Sequence, residues 1–192
     1  GKPGASATRY PIAFDRVRFV GEAVAAVVAE SREAAMNGAE AVMVDFDDLP
    51  SVTDTLQAIR PGAPVLCEQA PDNIASEMKH GDAAAAEAAF QRAAHVVSLD
   101  IVNQRLAPAS MEPRVVLAEP DAASGRLTVT LSSQMPTAVR DGIAAALPGL
   151  DKEQGRVRVG DVGGGFGMKT GLYPEDIGVA HAARTLGRPV KW

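Results

Sequence analysis

The spacing of apolar and polar positions changes several times along the chain, and each change marks an element. Val17 to Glu22 alternates apolar and charged residues, then gives way to the apolar run Ala23 to Ala29. This predicts a strand, a turn or bulge at Gly21, and a buried strand. Ser31 stands where an N-cap belongs, ahead of an Ala-rich helix running to about Ala41. Val42 to Phe46 reads as a further buried strand, stopped by Asp47, Asp48, Leu49 and Pro50. Strand, helix and strand with short links imply a crossover and a parallel pair. Residues 57 to 82 lose periodicity and read as an extended connector.

Period returns with Asp82, a cap for the helix-prone run Ala83 to Ala94. His95 to Val102 alternates like a strand, as do Arg114 to Glu119 and Arg126 to Ser132, with a hairpin link at residues 120–125. Pro136 opens a helix to Leu147, stopped by Pro148 and Gly149. A strand at Arg156 to Val159 leads into Gly163-Gly164-Gly165-Phe166-Gly167-Met168-Lys169. A last helix runs from Tyr173 to Leu186. Val190 to Trp192 opens another strand, whose free edge predicts self-association.

Composition narrows the function. The 46% hydrophobic and 22% charged fractions are those of an ordinary globular chain. Nineteen basic against 24 acidic residues leave a net charge of −5 with no basic cluster, so nucleic acid is not the expected partner. Cys67 is the one cysteine, which excludes an intramolecular disulfide and any Cys-only metal or iron–sulfur site on this chain. The longest apolar run is too short for a membrane span. Residues 1 to 9 resemble neither a signal nor a transit peptide, so a cytoplasmic location is expected.

Three stretches carry candidate chemistry. Four glycines within Gly163–Gly167 let backbone come close to another object and present N–H groups to an anionic or oxygen-rich ligand. The loop lacks the third glycine of G-x-G-x-x-G, since Met168 stands there, and it lacks the Lys-Ser/Thr of a P-loop. A turn that packs a helix against a strand explains the glycines equally well. Gln134, at a strand end before a helix, can donate to a ligand above the sheet edge, or be a solvated residue at a helix start. Glu112, held ahead of Pro113, is a carboxylate with a restricted backbone or an ordinary turn acid. Cys67 reads as an inert thiol, and His95 as a core histidine on its strand.

Taken together, the stretches at 15–22, 44–50, 111–114, 132–134, 163–169 and 187–192 resemble the molybdenum-binding large subunit of the xanthine dehydrogenase / aldehyde oxidase family. The resemblance is nearest to the branch containing the carbon monoxide dehydrogenase large subunit. It implies an α+β chain with a linker at 1–13, part of an a/b hammerhead domain at 14–56, the connector at 57–82, and the N-terminal part of a molybdopterin-binding α/β domain at 83–192. It implies that Gln134 hydrogen-bonds an oxygen on molybdenum. Gly165, Phe166 and Gly167 would approach the cofactor, with Phe166 enclosed among the glycines, and Glu112 is a weaker candidate in support. The family's general base would lie beyond Trp192, so no catalytic residue is assigned within the chain.

The implied parent reaction is oxidative hydroxylation of an aldehyde, an N-heterocycle or carbon monoxide, with oxygen derived from water. The implied cofactor is molybdopterin, in its cytosine dinucleotide form, held by the complete enzyme rather than by this chain alone. Implied partners are the remaining large-subunit polypeptide and iron–sulfur and FAD subunits. The alternative from another class is a stand-alone, non-catalytic assembly or interaction module.

Overall fold

A computed structural model describes residues 9–192, so residues 1–8 of the expected linker lie outside the described residues. Contacts divide the chain into two units. One contains residues 46–106; the other combines residues 9–45 with residues 107–192.

The larger unit is built on a four-stranded mixed sheet. Strand β1 (Val116–Asp121) pairs antiparallel with β2 (Arg126–Leu131) in the register Val116↔Leu131 and Ala118↔Val129. Asp121 accepts from the Ala123 N–H and from Ser124 Oγ in the link, which supports the tight hairpin. Strand β3 (Gly155–Arg158) lies parallel to β2, and β4 (Val190–Lys191) lies antiparallel to β1, giving the order β3-β2-β1-β4. A parallel neighbour cannot be reached by a tight turn. Helix α4 (Pro136–Ala146) makes that crossover, and helix α5 (Pro174–Leu186) leads into β4.

Alternation along the strands selects one face for the helices. Val116 and Ala118 of β1 and Leu127, Val129 and Leu131 of β2 are buried, and they form one core with Val139 and Ile143 of α4 and Val179, Ala180 and Ala183 of α5. Each full burial of a Val, Leu or Ile side chain contributes about 1.5–3 kcal/mol. Helix ends are locally encoded. Asp176 Oδ2 accepts from the Tyr173 N–H at 2.9 Å at the start of α5, and Gly187, with φ of 64°, ends it. Arg114 stacks 3.6 Å from the Tyr173 ring centre and forks to both carboxylate oxygens of Glu175, tying the chain before β1 to the start of α5.

In the same unit, helix α1 (Arg32–Glu40) starts as its sequence predicts, with Ser31 Oγ accepting from the Ala34 N–H. Gly38 faces Val27 so closely that a Cβ would stand 2.8 Å from Val27 Cγ1. The flanking segments differ from expectation. Residues 17–22 contain a turn, closed by the Glu22 N–H on the Phe19 carbonyl with Gly21 at φ of 92°, and no strand ladder joins residues 17–22, 23–29 and 42–46 among the described residues. A strand requires a second backbone to pair its N–H and C=O groups, and alternation alone does not supply one.

In the unit of residues 46–106, helix α2 (Thr55–Ala58) is capped by Asp54 and helix α3 (Ala83–Arg92) by Asp82. The stretch read as a plain extended connector is organised around Asn73. Its side chain accepts from Leu66 N–H and donates to the carbonyls of Ala58 and Pro64, while its backbone sits at φ of 57°. Asn tolerates that left-handed conformation better than most residues. Residues 95–102 are extended without a ladder partner, and His95 is exposed rather than packed in a core.

Candidate functional site

Three stretches far apart in sequence meet at the end of β2. The first is Ser110 to Glu112, ahead of β1. The second is Ser132 to Gln134, between β2 and α4. The third is the glycine loop after β3, which closes with a short 3₁₀ turn (Met168–Thr170).

Glu112 holds the start of the loop from two sides. Its N–H donates to the Gly163 carbonyl at 3.1 Å, and its Oε2 accepts from the Gly163 N–H at 2.8 Å. The approach leaves no room for a side chain: a Cβ on Gly163 would stand 2.5 Å from Glu112 Cβ. Ser132 Oγ donates to the same Oε2 at 2.7 Å. Lys169 Nζ donates to it at 2.8 Å, to the Glu112 carbonyl at 2.9 Å and to Ser132 Oγ at 3.1 Å. The Lys169 side chain is fully buried. The ammonium hydrogen bond, then those of Ser132 and Gly163, hold the Glu112 carboxyl at about 2, well below its ordinary value, against the opposing effect of burial.

Gln134 is clasped by the backbone of the same lysine. Its N–H donates to the Lys169 carbonyl at 2.8 Å, and its Oε1 accepts from the Lys169 N–H at 3.3 Å. Ser133 Oγ donates to that carbonyl and accepts from the Met135 N–H, which opens α4 without a side-chain cap of the usual kind. A backbone N–H can only donate, so the amide oxygen faces Lys169 and the amide nitrogen is left over as a donor. It meets no acceptor among the described residues.

The amide lies across Gly165, whose Cβ, if present, would stand 2.6 Å from Gln134 Cδ. Gly165 is buried, and the N–H groups of Gly164, Gly165, Phe166 and Gly167 have no hydrogen-bond partner among the described residues. Gly164 is half-buried and Phe166, Gly167 and Gln134 are exposed, so these donors stand at the surface, open to an acceptor from outside the chain. Phe166 sits at φ of 50° and Gly167 at 82°. The left-handed conformation costs a phenylalanine about 1–2 kcal/mol. Contrary to expectation Phe166 is not enclosed: it is 76% exposed, because the glycines around it supply no side chains to cover it.

Gln134 thus lies against Gly165, and Glu112 against Gly163, at the loop that also carries Phe166 and Gly167. Lys169 is the residue whose part sequence reasoning missed. Its only signal was its place at the end of the loop motif, where a lysine reads as a solvated cation. Cys67 and His95 lie in the other unit; the Cys67 thiol donates to Gln69 Oε1.

Residues 66–192 match the molybdopterin cofactor-binding domain family. The chain belongs to that family. It is homologous to large chains of the carbon monoxide dehydrogenase and xanthine dehydrogenase kind. The carbon monoxide dehydrogenase large chain of Hydrogenophaga pseudoflava is 36% identical over 193 residues, covering 94% of this chain and 24% of the relative. The nicotine 6-hydroxylase large subunit of Paenarthrobacter nicotinovorans is 38% identical over 192 residues, covering 98% of this chain and 23% of the relative. The crystal structure of quinoline 2-oxidoreductase from Pseudomonas putida 86 superposes with a TM-score of 0.85 at 34% identity, over 95% of this chain and 23% of that one. The chain thus spans about a quarter of the length of the curated relatives it matches.

The site of this molybdopterin-domain chain fits a cofactor rich in oxygen acceptors. It offers neutral donors: one amide nitrogen and a run of four unpaired backbone N–H groups. Its one nearby carboxylate and one nearby ammonium are already committed to each other. Neutral donors stabilise an oxygen-bearing centre without adding a competing anionic ligand.

Proposed function

We propose that these residues form one wall of the molybdenum-cofactor site of a molybdenum hydroxylase large subunit. The reaction class is oxidative hydroxylation of an aldehyde, an N-heterocycle or carbon monoxide, with water as the source of oxygen. The observation that carries this reading is the Gln134 amide, held by its oxygen so that its nitrogen is free beside the unpaired N–H groups of the glycine loop. Support also comes from the names of the relatives, which include a carbon monoxide dehydrogenase and a hydroxylase acting on nicotine.

In this reading the amide nitrogen of Gln134 donates to an oxygen acceptor of the cofactor. Gly165, Phe166 and Gly167 bring backbone to its edge, and the absence of a Cβ at Gly165 leaves space for the amide. Glu112 does not touch the cofactor; it holds Gly163 and Lys169. When bound, the molybdenum cofactor supplies the redox chemistry of hydroxylation. The proton-abstracting group is assigned to polypeptide beyond Trp192, so these residues orient and bind and are not expected to turn over substrate alone.

The finer proposals follow the same resemblance. Residues 14–56 are read as part of an a/b hammerhead domain, residues 57–82 as connector, and residues 83–192 as the N-terminal part of the molybdopterin-binding domain. The cofactor form is taken to be the cytosine dinucleotide. The working assembly is an oligomer in the cytoplasm, completed by the remaining large-subunit polypeptide and by iron–sulfur and FAD subunits. No helix among the described residues is long and apolar enough to cross a membrane.

The test is expression of the full natural polypeptide with its partner subunits, followed by elemental analysis and turnover assays. Wild-type complex should contain molybdenum, and Gln134→Ala should lower turnover by about 100- to 1,000-fold, the range for loss of a donor to a reacting centre. A molybdenum-free complex, or a Gln134→Ala complex with wild-type turnover, would refute the reading.

A further inference from the structure

Lys169, in the third stretch, is bonded to both of the others. Through its side chain it reaches Glu112, at carbonyl and carboxylate, and Ser132. Through its main chain it holds Gln134 two ways, the carbonyl accepting from the Gln134 N–H and the N–H donating to Gln134 Oε1, and the same carbonyl accepts from the neighbouring Ser133 hydroxyl. A buried ammonium is stable only with its protons paired, and here all three go to partners on the two strands of chain flanking the loop. The ammonium therefore fixes where the Lys169 peptide sits, and that peptide decides which end of the Gln134 amide is turned outward.

A glycine run by itself cannot do this. Gly163 to Gly167 have little conformational preference of their own, and the loop's N–H groups at 164–167 have no internal partners to hold them. The loop is held at Gly163 by Glu112, at its Gly165 and Gly167 carbonyls by the Met168 N–H and the Thr170 hydroxyl, and at Met168 and Lys169 by the Tyr173 hydroxyl and the contacts above. The same carboxylate oxygen, Glu112 Oε2, receives both the Gly163 N–H and the Lys169 ammonium. One ion pair thus closes both ends of the loop.

We infer that Lys169 is a positioning residue of the site: the buried Lys169–Glu112 pair closes the base of the glycine loop and orients the Gln134 amide so that its nitrogen faces the ligand. The inference rests on the reading of the site given above, but it concerns the order of the loop and can fail separately from it.

The experiment uses the full natural polypeptide in its complex and reads hydrogen exchange by mass spectrometry alongside molybdenum content. Lys169→Met keeps the length of the side chain and removes its charge. Exchange in peptides covering 132–135 and 163–170 should accelerate about tenfold or more, while α4 and α5 keep their protection, because local opening need not follow global unfolding. Molybdenum content should fall in parallel, and Lys169→Arg should restore it in part. If Lys169→Met does not fold, Ser132→Ala, which removes one of the three ammonium partners and leaves the ion pair, should give the same pattern with a smaller acceleration. Unchanged exchange in the loop, or acceleration spread evenly over both helices, overturns the inference. A loosened loop together with a Gln134→Ala complex of unchanged molybdenum content and turnover sustains the positioning role and refutes the cofactor reading instead.

Discussion

Two parts of the chain have nearly the same apolar alternation and different outcomes. In β1 and β2 the inward residues Val116, Ala118, Leu127 and Val129 are between 0% and 2% exposed. In residues 96–102, Val97, Leu99, Ile101 and Val102 are each 78% exposed or more. The first pair of segments is joined by a six-residue register and roofed by two helices. The second is extended with no ladder and no roof among the described residues. Alternation records a readiness to pair. What it becomes depends on whether a partner backbone and a covering apolar face are present, since a strand's polar groups and its apolar face each need a counterpart.

The comparison can be broken most forcefully inside the sheet. Leu127→Ala should cost about 2–4 kcal/mol, the range for deleting a buried leucine in a packed core, read as a lower denaturant midpoint. A loss as small as that of a surface substitution would mean that the core cluster does not carry the unit's stability. Next comes the site at the sheet's end. Gly165→Ala should cost about 1–3 kcal/mol, because the added Cβ overlaps the Gln134 amide, and it should displace that amide more than it disturbs α4. Wild-type molybdenum content in the Gly165→Ala complex would show that the amide has room to move.

Acid sharpens the same contrast through two carboxyls of opposite sign. Glu112 has its folded value lowered to about 2 by Lys169, Ser132 and Gly163. Its contribution to stability is therefore fully present above its ordinary value of 4.5 and is lost as pH falls toward 2. Asp176 has its value raised, chiefly by burial. Its ionised form is a liability above that raised value, and the liability is relieved as pH falls through it to 3.8 and below. Glu112→Gln should flatten the acid side of the stability profile, and Asp176→Asn should steepen it. Identical profiles for the two variants would contradict the arrangement. The smallest effect belongs to the exposed segment: Leu99→Ala should change stability by no more than about 0.5 kcal/mol. A loss of core size there would reveal a covering partner in the protein tested.

Much of the fold was legible because its signals are local. Ser31, Asp54 and Asp82 cap helices within three residues of themselves, and Gly187 ends α5 through its own φ. The strands 116–121 and 126–131 follow from alternation plus a hairpin link whose Asp121 bonds lie within three residues. The turn at Gly21 is as its glycine suggests, whereas the segments at 23–29, 42–46 and 95–102 alternate or run apolar without becoming strands, because the ladder partner is information that a segment does not carry. That Gln134, Glu112 and the glycine loop are neighbours came from the family resemblance, since each of them taken alone reads equally well as a turn or a solvated residue. That Phe166 is exposed was not legible, because covering a ring is a property of neighbours in space.

The sequence by itself determined the helices, the hairpin and the position of the loop, because caps, periods and glycines act over a few bonds. Only the tertiary structure decided how they meet. Lys169 is separated from Ser132 by 37 residues and from Glu112 by 57, and no local rule pairs a lysine with a carboxylate at such distances. Burial removes water as the competing partner of that ammonium, so the fold turns what reads as a surface cation into the fixed point on which Glu112, Gln134 and the glycine loop converge.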